Sequence, residues 1–205
     1  KDLFDVAGEV TSAGAAVLHN APRARTDAPV VARLRAAGAI VIGRTHMSEF
    51  AFTGLGLNPH YPVCANPHDK ARVPGGSSSG AAAAVALGQA AMGLGTDTGG
   101  SVRIPAAFCG LVGFKPTQAR ITRQGAFPLS ESLDSIGPIA NSVSCCAEVD
   151  RILADTPPPS GAPIKDLRLA IPLDFVLDDM DATVVGAFER AISTLSAAGA
   201  KIERV

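Results

Sequence analysis

Two clusters of small residues hold the candidate nucleophiles of this sequence: GGSSSG at 75–80 and GLGTDTGGS at 93–101. Serines between glycines suit either an anion cradle built from backbone N–H groups or nucleophilic attack by a hydroxyl beside a base. The phosphate-loop reading fails, because that loop needs Lys and then Ser or Thr after its last glycine, and Ser101 is followed by Val102 and Arg103. A dinucleotide fingerprint beginning at Gly93 meets Thr98 where its third glycine belongs, and it lacks the acidic partner expected about twenty residues further on.

The string 76–80 also matches GxSxG, the nucleophile elbow of α/β-hydrolases, with Ser78 as nucleophile. Chain order argues against it. That architecture needs its His after the Ser, whereas His19, His46, His60 and His68 all precede Ser78, and Pro74 weakens the strand an elbow requires. The same histidines show no HxxH or HExxH spacing, so no metal site is expected. A serine without a usable His still has a chemical solution: a desolvated lysine, neutral near pH 7, can take its proton. Of the five lysines, Lys70, Lys115, Lys165 and Lys201 sit in polar or connector contexts, while Lys1 leads into the apolar Leu3, Phe4 and Val6. On residue types alone, Lys1 is either that base or an exposed terminal lysine.

The elements that must position these residues alternate between helix and strand, which makes the class α/β. Thr26 or Asp27 can cap a helix with Pro29 in its first turn, Val30, Val31 and Leu34 on one face and Gly38 at its end. The apolar run 39–42 is expected as a buried strand. Ser79 precedes an Ala-rich helix expected to reach Ala91, and 91–95 then pass as a short strand into the turn-rich 96–101. Asn141 or Ser142 opens a helix to about Ala154. The following TPPPSGAP at 156–163 cannot continue it, since proline lacks the N–H and clashes with the preceding turn. Beyond this connector, 167–171 reads as a strand and Asp181 caps a helix with Val184, Val185, Phe188, Ile192 and Leu195 on one face. Gly199 ends that helix, and a strand starts at Ile202.

Composition bounds the partners. With 18 basic and 19 acidic residues in 205, and no run of five like charges, there is no electrostatic footprint for nucleic acid or an anionic membrane. The most apolar stretch, 80–95, is shorter than the roughly twenty residues a membrane-spanning helix needs, and Gln89 interrupts it. Cys64, Cys109, Cys145 and Cys146 form no CxxC pair, which fits a reduced, cytoplasmic compartment. No secretory leader is expected, and a start at Lys1 reads as truncation.

GGSSSG at 75–80, GLGTDTGGSVRIPAAFCGLVGFKPT at 93–117 and SLDSIGP at 132–138 together resemble the amidase signature family, three separated motifs in the family's order. The resemblance runs from KDLFDVAGEVTSAG at Lys1 to about Asp155. The family includes bacterial amidases, fatty acid amide hydrolase and the A subunit of glutamyl-tRNA amidotransferase. Its members are longer, so the chain is expected to be a fragment of a longer enzyme. The expected organisation is a signature core over 1–155, the connector at 156–163, and a strand–helix–strand portion of the same truncated domain over 164–205. The implied fold is an α/β, amidase-signature-like mixed sheet core flanked by helices on both sides.

Carried over by position, the resemblance makes Ser101 the nucleophile, Ser77 the bridging serine and Lys1 the base. The 24-residue gap between the two serines is the family's usual one. It also implies a cis peptide bond before Ser77, and an oxyanion hole of backbone N–H groups from Thr98, Gly99, Gly100 and Ser101. Thr96, Asp97 and Arg103 are expected to hold the nucleophile's loop. Within MSEFAF at 47–52, Ala51 is read either as lining of the acyl pocket or as core packing, with Ser77 and Thr98 also expected to touch substrate. Ser79 is read either as a helix cap or as a substrate contact, Asp134 as structural and Cys109 as a buried, inert thiol.

The implied activity is hydrolysis of a non-peptide carboxamide C–N bond through a serine acyl-enzyme, with no cofactor. Its substrate would be a small-molecule amide, without nucleic acid or membrane partners, and a homodimer is compatible with the sequence. The alternatives are an inactive fragment with a binding role and a protein resembling the A subunit of the amidotransferase. FPLSES at 127–132 and the lack of a basic surface favour the simple amidase.

Overall fold

In the computed structural model, which describes residues 1–157, 161–174 and 177–205, the first helix is α1 (Pro29–Ala36). It buries Val30, Val31 and Leu34 as expected, with Pro29 at its start. Neither expected cap is used: Ala28 holds the N-cap position, and Asp27 accepts instead from the Ala7 N–H at 2.8 Å. The Ala-rich helix is α2 (Ser79–Ala86), shorter than expected because Gly88, at φ +69°, ends it.

The site-bearing sheet is β1 (Met92–Asp97), β2 (Val112–Gly113) and β3 (Ser135–Ala140), in the order β1-β3-β2 and antiparallel throughout. Between β1 and β2 lies α3 (Arg103–Phe108), and β3 is followed by α4 (Val143–Ala154). Ser142 caps α4 by accepting from the Cys145 N–H. Every residue of β3 is buried. Side chains alternate along a strand, so its two faces feed different cores. Ile136 joins Leu3, Phe4, Val30 and Leu153 in one, and Ile139 joins Ala81, Ala82, Val102 and Ala106 in the other. Helices therefore cover both faces, α1 and α4 contributing to the first core and α2 and α3 to the second.

The apolar run 39–42 does not form the expected buried strand. It is in no ladder, and Ile40 and Ile42 are 85% and 69% exposed. Apolar content favours burial, but a strand also needs a neighbour whose N–H and C=O groups it can meet, and none of the described residues provides one. The run lines a mainly apolar cavity of about 390 Å³ together with Met92–Leu94.

By contact density the chain divides into two units, Lys1–Pro158 and Pro159–Val205. The connector expected at 156–163 lies across this division, and 158–160 fall outside the described residues. Within the second unit, β4 (Arg168–Ile171) pairs in parallel with β5 (Lys201–Arg204), linked by α5 (Ala182–Ala197). Asp181 caps α5 by accepting from the Thr183 N–H at 2.8 Å, and Gly199 follows its end at φ +100°. The apolar face expected on α5 is present in sequence, yet none of its residues is buried.

Candidate active site

Lys1 is held from several directions. Its backbone nitrogen donates to the Leu94 carbonyl at 3.0 Å, which lays the first residue along β1. Asp2 pairs with Arg44 and accepts from the Ser12 hydroxyl. The Leu3 carbonyl accepts from the Phe127 N–H at 2.8 Å. The Lys1 side chain then runs inward and is only 8% exposed. Its Nζ donates to Ser77 Oγ at 2.7 Å, to Thr96 Oγ1 at 2.8 Å and to the Thr96 carbonyl at 3.4 Å. Burial pushes the amine down from 10.5 to about 7, against the pull of the Asp97 and Asp134 carboxylates, which favour the charged form.

Ser77 lies on a turn that only small residues can build. The Gly76–Ser77 peptide bond is cis. Gly76 donates to the Gly54 carbonyl at 2.7 Å, and the Ser77 carbonyl accepts from the Ser48 N–H at 3.2 Å. A Cβ on Gly76 would lie 2.4 Å from the Gly56 nitrogen, and one on Gly56 would lie 2.4 Å from the Gly75 carbonyl oxygen. The segment 48–56 thus clamps the serine turn by direct backbone contact.

Ser101 reaches the same place from the end of β1. Its carbonyl accepts from the Ser78 N–H at 3.2 Å, and the residue is 8% exposed. Its hydroxyl makes no hydrogen bond among the described residues. The structure therefore joins Lys1 to Ser77 by their side chains and brings in Ser101 through the backbone of Ser78.

Asp97 organises the loop between them. Its buried carboxylate accepts from the N–H groups of Gly100 at 2.8 Å, Val102 at 3.1 Å and Arg103 at 3.3 Å. The Arg103 guanidinium closes on it with Nε at 3.0 Å and a terminal nitrogen at 2.9 Å. Burial would raise this carboxyl, but the Arg103 fork and the backbone donors outweigh it and hold it below the usual range.

Of the four N–H groups expected to form an oxyanion hole, that of Gly100 donates to Asp97, and those of Thr98, Gly99 and Ser101 have no acceptor among the described residues. Thr96, expected with Asp97 and Arg103 to hold the loop, instead touches Lys1 directly with two oxygens. The antiparallel register pairs Asp97 with Ser135, so Thr98 falls opposite Asp134, and the Thr98 hydroxyl donates to Asp134 Oδ1 at 2.5 Å. Asp134 Oδ2 accepts from the Leu129 and Ser130 N–H groups at 2.8 and 2.9 Å, a structural task.

Ala51 is buried in the core that also holds Leu3 and Met47, in a turn where Phe50 and Ala51 take φ of 48° and 62°. Phe50 packs on Phe127 with ring centroids 5.5 Å apart. Ser79 is the first helical residue rather than the cap; its hydroxyl meets His46 Nδ1 at 3.0 Å. Cys109 is buried, and desolvation pushes its thiol up to about 11. Two contributors escaped the sequence reading. Ser48 is visible in the sequence only as part of MSEFAF, and Ser78 only as the nucleophile of the rejected elbow reading; their roles here are backbone donations that no side-chain pattern signals.

The sequence matches the Amidase family over residues 1–205. It is 42% identical to the A subunit of glutamyl-tRNA(Gln) amidotransferase from Anaeromyxobacter dehalogenans (strain 2CP-C), covering 98% of this chain and 44% of that protein. It is 42% identical to AtzE, the 1-carboxybiuret hydrolase subunit of Pseudomonas sp. (strain ADP), covering 84% and 38%. The crystal structure of the A subunit of glutamyl-tRNA(Gln) amidotransferase from Thermotoga maritima superposes with a TM-score of 0.90 at 36% identity, over all of this chain and 48% of that one. A crystal structure of an amidase superposes at 0.89 with 43% identity, over 100% and 46%. The chain spans less than half the length of these relatives. The family match over the whole length, together with the mixed α/β fold shared with these structures, shows that the chain belongs to the amidase signature family.

Proposed function

We propose that the protein hydrolyses a carboxamide C–N bond through an acyl-enzyme on Ser101. The observation that carries this reading is a lysine amine buried with its pKa near 7, 2.7 Å from a serine hydroxyl. Neutral Lys1 accepts a proton from Ser77 as Ser77 takes the proton of Ser101, whose oxygen attacks the amide carbonyl. The hydrogen bond between the two hydroxyls tightens as substrate seats. The N–H groups of Thr98, Gly99 and Ser101 stabilise the oxyanion, each worth roughly 3 to 4 kcal/mol in sites of this type. Collapse of the intermediate breaks the C–N bond, the relay returns the proton to the departing amine, and water releases the carboxylate. Ala51 and Thr98 border the acyl group, and no cofactor takes part. We place the protein in the cytoplasm on its cysteine pattern, acting on a small amide without nucleic acid; a homodimer is compatible with this.

Intact-mass analysis after treatment with a fluorophosphonate probe tests the reading. One adduct is expected on the parent and none on Ser101→Ala or Lys1→Met. A folded parent that takes no label would leave the chain as a binding fragment. A second reading, transfer of ammonia to an acceptor held by a partner, is favoured by the 42% identity to the Anaeromyxobacter dehalogenans protein. Ammonia release from a simple amide by the protein alone separates the two.

A further inference from the structure

Next to the Lys1–Ser77 pair is a cavity of about 400 Å³ that the reaction scheme above leaves unassigned. Thr96, which accepts from Lys1 Nζ, and Asp134, which accepts from Thr98, form the wall it shares with the site. Arg123, Gln124, Phe127 and Glu131 complete its polar and aromatic lining. Phe127 is the ring stacked against Phe50, in the segment that carries Ala51.

Three basic side chains among the described residues lie close to this chemistry, and two are committed. Lys1 serves as the neutral base, and Arg103 is locked by both arms of its guanidinium onto Asp97. The third, Arg123, is half-buried. It donates only to the Glu131 main-chain carbonyl, at 2.5 Å, and has no ion pair among the described residues. Asp134 lines the same cavity but makes no ion pair with Arg123; its carboxylate oxygens accept from Thr98, Leu129 and Ser130. The Glu131 side chain is exposed at the rim and makes no ion pair with Arg123; water weakens, without removing, its repulsion of an incoming anion. A guanidinium with free N–H groups in a partly enclosed cavity is a receptor for a planar anion, above all a carboxylate, which it can bind through two parallel hydrogen bonds.

We propose that Arg123 selects the substrate: the protein acts on amides whose acyl portion carries a carboxylate, and Arg123 holds that carboxylate. The proposal rests on the hydrolase reading above and supplies its substrate class. Binding energy gained at Arg123, away from the reacting carbonyl, fixes the amide over Ser101.

The test compares malonamate, succinamate and glutaramate with propionamide, butyramide and pentanamide, their uncharged counterparts of similar length. The wild type is expected to prefer at least one anionic amide by about tenfold or more in kcat/KM. Arg123→Gln should lose that preference through KM while keeping its activity on the neutral amide. Arg123→Lys should recover part of it, and Glu131→Gln, which removes a repelling charge, should lower KM for the anion. A wild type without preference, or an Arg123→Gln that slows both substrate sets equally, overturns the proposal. Calorimetric binding of malonate, succinate and glutarate to Ser101→Ala, with and without Arg123→Gln, reads the pocket without turnover. Arg123-dependent binding without hydrolysis of any amide would sink the hydrolase reading and leave the anion site standing. Hydrolysis with Arg123-independent binding would do the reverse.

Discussion

Lys1 Nζ donates to Ser77 Oγ at 2.7 Å across 76 residues of sequence, in an interior where the amine is held near pKa 7. A lysine this far below its ordinary value of 10.5 can accept a proton at neutral pH, and in the proposed mechanism the adjacent hydroxyl is the path by which one arrives. The Asp97 and Asp134 carboxylates keep the shift from going further.

The first prediction concerns the rate. The base form of Lys1 is populated above its folded pKa, so kcat/KM should rise through about pH 7 and level off above it. Thr96→Val removes the oxygen that accepts from Nζ at 2.8 Å, which takes support from the ammonium and should move the limb to lower pH. Profiles of the two proteins on one neutral amide decide it. A limb that stays put would mean that another group titrates.

How much of this site could be read from the sequence depends on the kind of contact. Ser77 and Ser101 stood out because glycines flank them, and their spacing carried the family resemblance. Lys1 stood out only by elimination and by that resemblance, since its burial comes from Leu94, Thr96 and Ser77, all more than seventy residues away. Thr96 was expected to hold the loop because sequence places it beside Asp97; strand alternation turns the two side chains opposite ways, toward Lys1 and Arg103 respectively. The strand expected at 39–42 failed because apolar content cannot report whether a ladder partner exists. The caps at Ser142 and Asp181 were legible, because one side chain and a local N–H suffice to make them.

A second prediction follows from linkage. Lys1 has its folded pKa near 7 and its ordinary value at 10.5. Between these values the unfolded chain binds more protons, so stability rises with pH across that window; below about pH 7 the cost of burying the ammonium is complete. Lys1→Met should therefore stabilise the fold below pH 7 by up to roughly 5 kcal/mol, and the gain should fade towards pH 10.5. Urea unfolding at pH 6 and pH 10 measures it, and an equal difference at both would refute the assignment.

Asp97 carries the opposite sign. Its carboxyl is held below the usual range in the folded state, so its stabilisation is complete above the unfolded carboxyl pKa and is lost as pH falls through the folded one. Asp97→Asn cannot accept the same set of backbone and guanidinium donors. It should cost about 3 to 5 kcal/mol at pH 7, as expected when one partner of a buried pair is removed. The gap to wild type should narrow in acid, which an acid-titrated thermal melt would show.

The last prediction separates the fold from the serine turn. In Gly76→Ala the new methyl would meet the Gly56 nitrogen at 2.4 Å and Gly56 Cα at 2.7 Å. Both are backbone atoms, so neither can move without carrying its segment along. Gly56 cannot retreat freely, because Ser48 donates to the Ser77 carbonyl and Gly76 to the Gly54 carbonyl. The strain should fall on Ser77, taking its hydroxyl away from Lys1, while Leu3, Phe4, Val30 and Leu153 in one core and Ala82, Val102 and Ile139 in the other keep the chain folded. Gly43→Ala is the control, since a Cβ there meets nothing within 4 Å. Gly76→Ala should lose about a hundredfold in fluorophosphonate labelling rate, the scale expected for a displaced catalytic group, with little change in circular dichroism. Equal labelling of the two alanine variants would show that the turn tolerates a side chain and that the clamp by 48–56 does not set the position of Ser77.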